Sequence, residues 1–249
     1  MSRMMLLTLV GLGLVVNGCH VHKHKMAGHP QAVTTAKAPA PAPAVAPATA
    51  PAPVVKPVAV PAVSPAPAGD WKVAYTSNFK DAVAGDDFLK LEAVVKPEGG
   101  ALLVMPEAES HHPQIVLKKS FPGNAIRVEF TGSLSGQSVS DLSLVLNAGE
   151  EGYSGGYLLQ LGGKANTLSR LLKNGEFVEG TEGKFAVTPD KTYKVVAEND
   201  NGKITLTVDG KVIFTYADKE PLKGPQHDKI GFYTYRDTMK IDSLVISTK

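Results

Sequence analysis

Residues 203–216 read KITLTVDGKVIFTY. Ile204, Leu206 and Val208 alternate with Lys203, Thr205 and Thr207, the period of a strand that buries one face. The run stops at Asp209-Gly210, a pair that tolerates the two successive positive φ angles of a primed hairpin turn, and a second alternating run follows at once. A helix would scatter these apolar residues around its circumference. The chain repeats the signal: Asn174-Gly175 and Asn201-Gly202 are turns of the same kind, and AIRVEF, TYKVVAE, KIGFYTY and MKIDSLVIS alternate in the same way. In DLSLVLN the period places Leu142, Leu144 and Leu146 on one face and Asp141, Ser143, Val145 and Asn147 on the other. No segment keeps a period of 3.6 with caps over three turns. Residues 70–249 are therefore expected to form an all-β, two-sheet antiparallel jelly-roll sandwich.

The first 69 residues obey other rules. Arg3, an apolar run from Met4 to Val16 and small residues before Cys19 have the layout of an export signal over residues 1–18. The run falls short of the about 20 apolar residues that a membrane-spanning helix needs. Residues 19–69 then comprise Cys19, a His-rich collar (HVHKHKMAGHP) and an Ala/Pro-rich linker. His20, His22 and His24 could bridge a metal from an extended backbone, but Lys23 and Lys25 oppose a cation there, so the collar reads as a contact for anionic lipid headgroups and not as a metal site. Ala38–Pro67 carries ten prolines. Proline fixes φ, removes a backbone donor and pushes its predecessor to extended angles. The segment is expected to be a disordered, extended spacer reaching on the order of 90 Å in polyproline II geometry.

Charge separates the same two parts. Arg3, Lys23, Lys25, Lys37 and Lys56 are the only charged residues in 1–69, which leaves 21 bases against 24 acids in the remainder, a net of −3. A weakly acidic domain lacks the basic surface that phosphate backbones require, so nucleic acid is excluded as its partner.

One stretch argues for nucleotide binding until it is counted. GGYLLQLGGKANTLSRLLKNG, residues 155–175, surrounds Gly163-Lys164 with glycines. A phosphate loop needs Ser or Thr after the lysine, and here Ala165 follows; it needs a glycine where Leu158 stands; and it must open a helix, whereas this stretch runs into the Asn174-Gly175 turn. The glycines read as bends and close approaches in a sheet.

DDFLKLEAVVKPEGGALLV, FPGNAIRVEF and the closing series TYKVVAENDNGKITLTVDGKVIFTY, KIGFYTYRDTMK and IDSLVIS resemble the concanavalin A-like lectin/glucanase superfamily, and within it the laminin G-like and 3-keto-disaccharide hydrolase-type domains. Val16-Asn17-Gly18-Cys19 resembles a bacterial lipobox, which implies lipidation at Cys19, an anchor in the bacterial envelope and, since His20 follows the cysteine, sorting to the outer membrane. The superfamily likeness implies a glycan or cell-wall polysaccharide as partner, and calcium in some members; no other cofactor is expected. Retaining relatives carry Glu-x-Asp-x-x-Glu on one strand. The nearest match here begins at Glu198 and Asp200 but has Lys203 in place of the last acid, in a segment that reads as a turn. Catalytic residues are thus not identifiable, and the acid pairs Glu107/Glu109, Glu150/Glu151 and Glu179/Glu182 read as solvated loops. His111-His112 and His227-Asp228 read as loop features, and Trp71 as an edge plug.

Sugar sites pair aromatic faces with planar hydrogen-bonding groups. Asn147, Tyr153, Tyr157, Gln160 and Arg170 supply that mixture around the glycine-rich stretch, and Tyr233, Tyr235 and Arg236 supply it near the C-terminus, with both tyrosines expected opposite Phe232 and Thr234. The leading expectation is a membrane-anchored lipoprotein whose sandwich binds carbohydrate. A glycoside-processing hydrolase and a protein-binding adaptor are the alternatives.

Overall fold

The computed structural model describes residues 70–81, 84–136 and 139–249. The segments expected to be an export signal, a lipidated Cys19, a His-rich collar and an Ala/Pro-rich linker lie outside the described residues.

Among the described residues fifteen strands follow in chain order. They are β1 (Lys72–Ser77), β2 (Phe88–Leu91), β3 (Ala93–Glu98), β4 (Ala101–Pro106), β5 (Gln114–Leu117), β6 (Ala125–Ser135), β7 (Ser143–Ala148) and β8 (Tyr157–Gly162). The remainder are β9 (Leu168–Lys173), β10 (Glu176–Phe177), β11 (Tyr193–Asp200), β12 (Lys203–Val208), β13 (Lys211–Ala217), β14 (Lys229–Tyr233) and β15 (Thr238–Thr248). One sheet has eight strands, ordered β13-β12-β11-β6-β15-β4-β3 with β1 also paired to β15; the other has seven, ordered β10-β9-β8-β7-β14-β5-β2. Strand pairing is antiparallel in both sheets.

The three turn signals hold. Asn174 and Gly175 (φ 52° and 80°), Asn201 and Gly202 (54° and 94°) and Asp209 and Gly210 (48° and 79°) all take the positive angles of primed turns. They close β9–β10, β11–β12 and β12–β13, with Lys173 opposite Glu176, Asp200 opposite Lys203 and Val208 opposite Lys211.

The inward side chains of the two sheets make the core. Val195 and Ala197 of β11, Ile204 and Leu206 of β12 and Leu244 and Ile246 of β15 are fully buried, as are Leu144 and Leu146 of β7 and Phe232 of β14. Phe130 and Phe232 meet edge to face across the layer, ring centroids 5.2 Å apart. Each of the Val, Leu, Ile and Phe side chains contributes about 1.5–3 kcal/mol by leaving water.

Two expectations fail at the sheet interface. Asn147 does not continue the outward row of its strand: its φ of 50° breaks the alternation, and its Oδ1 accepts from Asn199 Nδ2 at 2.8 Å. Asn199 Oδ1 in turn accepts the Gly202 N–H, so the two buried amides satisfy one another and the tip of the β11–β12 hairpin. Tyr157 also points inward. It is fully buried in the core, its hydroxyl donating to Asp218 at 2.6 Å and accepting from the Leu222 N–H at 2.8 Å. Both residues hold the sandwich together instead of lining a surface.

The segment around Glu198 is likewise structural. Glu198 lies on β11 itself, not in a turn, and pairs with Arg127, which also bonds Glu129 at 3.0 Å. Asp200 pairs with Lys249 at 2.6 Å, and the Lys249 ammonium sits 4.6 Å from the centroid of the half-buried Trp71 ring, which ties the two ends of the domain together.

Candidate functional site

The outer face of the seven-stranded sheet carries two transverse rows set by register. One is apolar: Leu172 pairs with Leu158, Leu158 with Val145, Val145 with Gly231, and Gly231 with Val116. The other is polar: Arg170 pairs with Gln160, Ser143 with Tyr233, and Tyr233 with Gln114. Neighbouring strands lie about 4.8 Å apart, so a row crossing five strands spans roughly 19 Å.

A strap covers the apolar row. The β7–β8 connection, residues 149–156, folds back over the sheet with Tyr153 at its centre. The Tyr153 N–H donates to Gln114 Oε1 at 3.1 Å, its ring packs against Tyr233 with centroids 5.1 Å apart, and Gly155 O lies 2.8 Å from His227 Nδ1. Gly156 sits where a Cβ would meet Val145, so glycine is what lets the strap turn this close to the sheet. Val145, Leu158 and Ala148 are buried beneath it.

The polar row is joined by hydrogen bonds. Arg170 Nε donates to Gln160 Oε1 at 2.7 Å, and Gln160 Nε2 donates to Asp141 Oδ1. Asp141 is 5% exposed, and this burial pushes its carboxyl up to about 6, against the lowering effect of its hydrogen bonds with Gln160, Ser140 and Ser143 and of the nearby Arg170 charge. A buried carboxyl costs stability unless hydrogen bonds offset its burial, and Gln160 and Ser143 supply them here. The backbone around it is held in sparsely populated geometry, with φ of 43° at Val139 and 69° at Asp141. Three loops are knitted at this end: Thr234 Oγ1 donates to Ser140 O, the Thr234 N–H to Pro113 O, the Arg236 N–H to His111 O and the Ser140 N–H to Asp237 Oδ2.

That knitting assembles a strip of rings. From Tyr153 it passes to Tyr233 (5.1 Å), His112 (6.1 Å), Tyr235 (5.4 Å) and His111 (6.3 Å), with the Arg236 guanidinium 5.1 Å above Tyr235. His112 Nδ1 lies 2.9 Å from the Tyr233 hydroxyl. Burial and the Asp141 charge raise the Tyr233 hydroxyl well above its usual value, so it stays neutral throughout the physiological range. His111, His112 and Arg236 are exposed, and Tyr153, Tyr235 and Arg170 are half-buried.

Six of the eight residues chosen from sequence therefore converge on or beside one face: Tyr153, Gln160, Arg170, Tyr233, Tyr235 and Arg236. Tyr235 and Arg236 reach it from the loop after β14, because the strand ends at Tyr233. Thr234 is buried, as expected. Asn147 and Tyr157 are corrected to the interior. Sequence reasoning missed Asp141, although the period of DLSLVLN places it on the outward face, and it read His111-His112 as a plain loop because their neighbours are more than 120 residues away. His227 makes the turn contact expected of it.

The glycine-rich stretch forms β8, a reversal and β9. Lys164, Ala165 and Asn166 all have positive φ (51°, 56° and 59°), so the residues after Gly163 turn the chain back instead of opening a helix with free N–H groups. Among the described residues no three His, Cys, Asp or Glu side chains group to hold a metal ion.

The two antiparallel sheets form a jelly-roll sandwich that is concanavalin A-like in fold. Solved structures of that class superpose on it. A Bacillus subtilis protein of unknown function with a galectin-like fold matches at TM-score 0.59 and 15% identity, over 72% of this chain and 99% of its own. A carbohydrate-binding module from Bacillus subtilis matches at 0.51 and 14%, over 63% and 92%. A non-specific endo-β-1,3(4)-glucanase matches at 0.53 and 9%, over 72% and 92%. At these identities the likeness is one of fold. Neither a protein-family model nor a curated protein matches the chain by sequence.

Proposed function

We propose that this protein binds carbohydrate on the outer face of its seven-stranded sheet. The observation that carries this is the Asp141–Gln160–Arg170 hydrogen-bonded chain beside the Tyr153–Tyr233–His112–Tyr235–His111 ring strip. Pyranoses present an apolar face and a rim of hydroxyls, which rings and planar amide or guanidinium groups complement together. The carbohydrate-binding module among the structural neighbours agrees with this reading. The test is retention on an array of bacterial, fungal, plant and host polysaccharides. The wild-type protein is expected to be retained by at least one glycan, and Tyr235→Ala or Arg170→Ala to lose that retention with an unchanged melting temperature. Retention of no glycan, beside capture of a single protein partner, would replace this reading with the adaptor.

A glycoside-processing hydrolase of the 3-keto-disaccharide type is the second reading, and Asp141 favours it, since a carboxyl that holds its proton to about pH 6 suits a general acid. Glycosidases pair two carboxyl groups about 5–9.5 Å apart, whereas Asp141 Oδ1 accepts from the Gln160 amide and the Ser143 hydroxyl. Sugar released from the retained glycan by wild type but not by Asp141→Asn would establish the hydrolase.

Cys19 completes the proposal as the lipid-bearing residue that ties the domain to the bacterial envelope through the Ala/Pro-rich linker, at the outer membrane. Several acyl chains at about 0.8 kcal/mol per buried methylene make a firm anchor. In the native host the protein is expected to partition into detergent, and Cys19→Ser into the aqueous phase. Equal partition of the two would remove the anchor from the proposal.

A further inference from the structure

The polar row ends at Arg170, but the open surface does not. Arg170 is bonded to Gln160 through Nε on one side, and on the other its guanidinium lies 5.4 Å from the centroid of Phe177. Phe177 pairs with Leu172, so it belongs to the outer face and extends the apolar row to the edge of the sheet. The strap does not cover it. Tyr153 buries the middle of the row, whereas Phe177 keeps 38% of its surface open. Beside it lies a groove of about 510 Å³, lined by Lys173, Asn174, Glu176, Phe177 and Val178.

Phe177 therefore presents one open aromatic face at the edge of the sheet, next to the Arg170 guanidinium. Protein-sized occupants would need a broad apolar patch, and one ring bounded by Lys173, Asn174 and Glu176 is not one. The combination of a single aromatic ring with ammonium, amide and carboxylate groups around a shallow groove matches one sugar residue. Arg170, which takes part in no ion pair among the described residues, is placed to serve both sides.

We infer that the β9–β10 hairpin is a second sugar subsite, with Phe177 as the stacking platform and Arg170 as the joint to the ring strip, so that a bound glycan runs across the sheet from the His112–Tyr235 end to the hairpin. This rests on the carbohydrate reading above, and it adds that affinity depends on glycan length. A short oligomer occupies the ring strip alone. A longer one gains the hairpin subsite.

The test uses the full chain and a printed array carrying β-glucan, mannan, xylan, chitin and uronate oligosaccharides of two to eight residues, followed by titration of the retained series. Phe177→Ala is expected to weaken the longer oligomers by roughly five- to tenfold, the worth of one stacked ring, and to leave the shortest retained one unchanged. Phe177→Trp restores the length dependence. Because Phe177 is exposed, neither variant disturbs the core, and an unchanged melting temperature checks this. Equal affinities of wild type and Phe177→Ala at every length would overturn the subsite while Tyr235→Ala still abolished binding and the carbohydrate reading stood. If the array retained no glycan, both would fall together.

Discussion

Phe232→Ala lowers the stability of the domain by about 3–5 kcal/mol, the usual cost of removing a buried phenylalanine and leaving a cavity. For a domain of this size, where 1 kcal/mol shifts the midpoint by about 2–4 °C, the melting temperature falls on the order of 10 °C. Phe232 is fully buried and edge-on to Phe130 across the two sheets, so its loss opens the layer from both sides. Tyr235→Ala, three residues on but in a half-exposed loop, is expected to change stability by less than about 1 kcal/mol. Urea denaturation of the two variants decides the matter. A tolerant Phe232→Ala beside an unfolded Tyr235→Ala would mean that the strand presents its faces the other way round, and the outer-face site would go with it.

The second large effect depends on pH. The folded Asp141 carboxyl is raised to about 6, whereas in the unfolded chain it titrates near about 3.9. The folded state thus holds its proton more tightly. This contribution is fully present below about pH 4 and is lost as pH rises through about 6, by roughly 2–3 kcal/mol at about 1.4 kcal/mol per pKa unit. Asp141→Asn carries no charge to bury and keeps an oxygen for Gln160. The variant is expected to be more stable than wild type by on the order of 1–3 kcal/mol at pH 7.5 and to lose that advantage at pH 4. Other titrating groups cancel in the difference. An identical wild-type-to-variant difference at both pH values would show that Asp141 is not held near neutrality by burial. A gain in stability together with a loss of glycan retention would be the trade expected of a binding residue.

How far these residues were legible beforehand depends on the range of the forces that place them. The hairpins closed by Asn174-Gly175, Asn201-Gly202 and Asp209-Gly210 were readable because a two-residue turn is a local matter of φ. The facing of Ile204, Leu206, Phe232 and Tyr233 was readable because strand period is local too. Asn147 was misread for a local reason that leaves no trace in the letters: one positive φ at the end of β7 reverses the side chain and delivers it to Asn199, 52 residues away. Tyr157 was misread because a tyrosine satisfies an interior as well as a surface once Asp218 and the Leu222 N–H meet its hydroxyl. The His112–Tyr233 contact spans 121 residues, and no spacing rule reaches that far.

Alternation and turn chemistry, properties of a few adjacent residues, were enough by themselves to determine that residues 70–249 form an antiparallel sandwich and that the Gly163-Lys164 stretch is no phosphate loop. The tertiary structure alone decided which tyrosines see solvent, that residues 149–156 lie across the apolar row, and that the Asp141–Gln160–Arg170 chain meets Phe177 at the sheet edge. The reason is that strand order and strap placement come from packing two whole sheets, and side chains on neighbouring strands become neighbours only after strands far apart in sequence have paired.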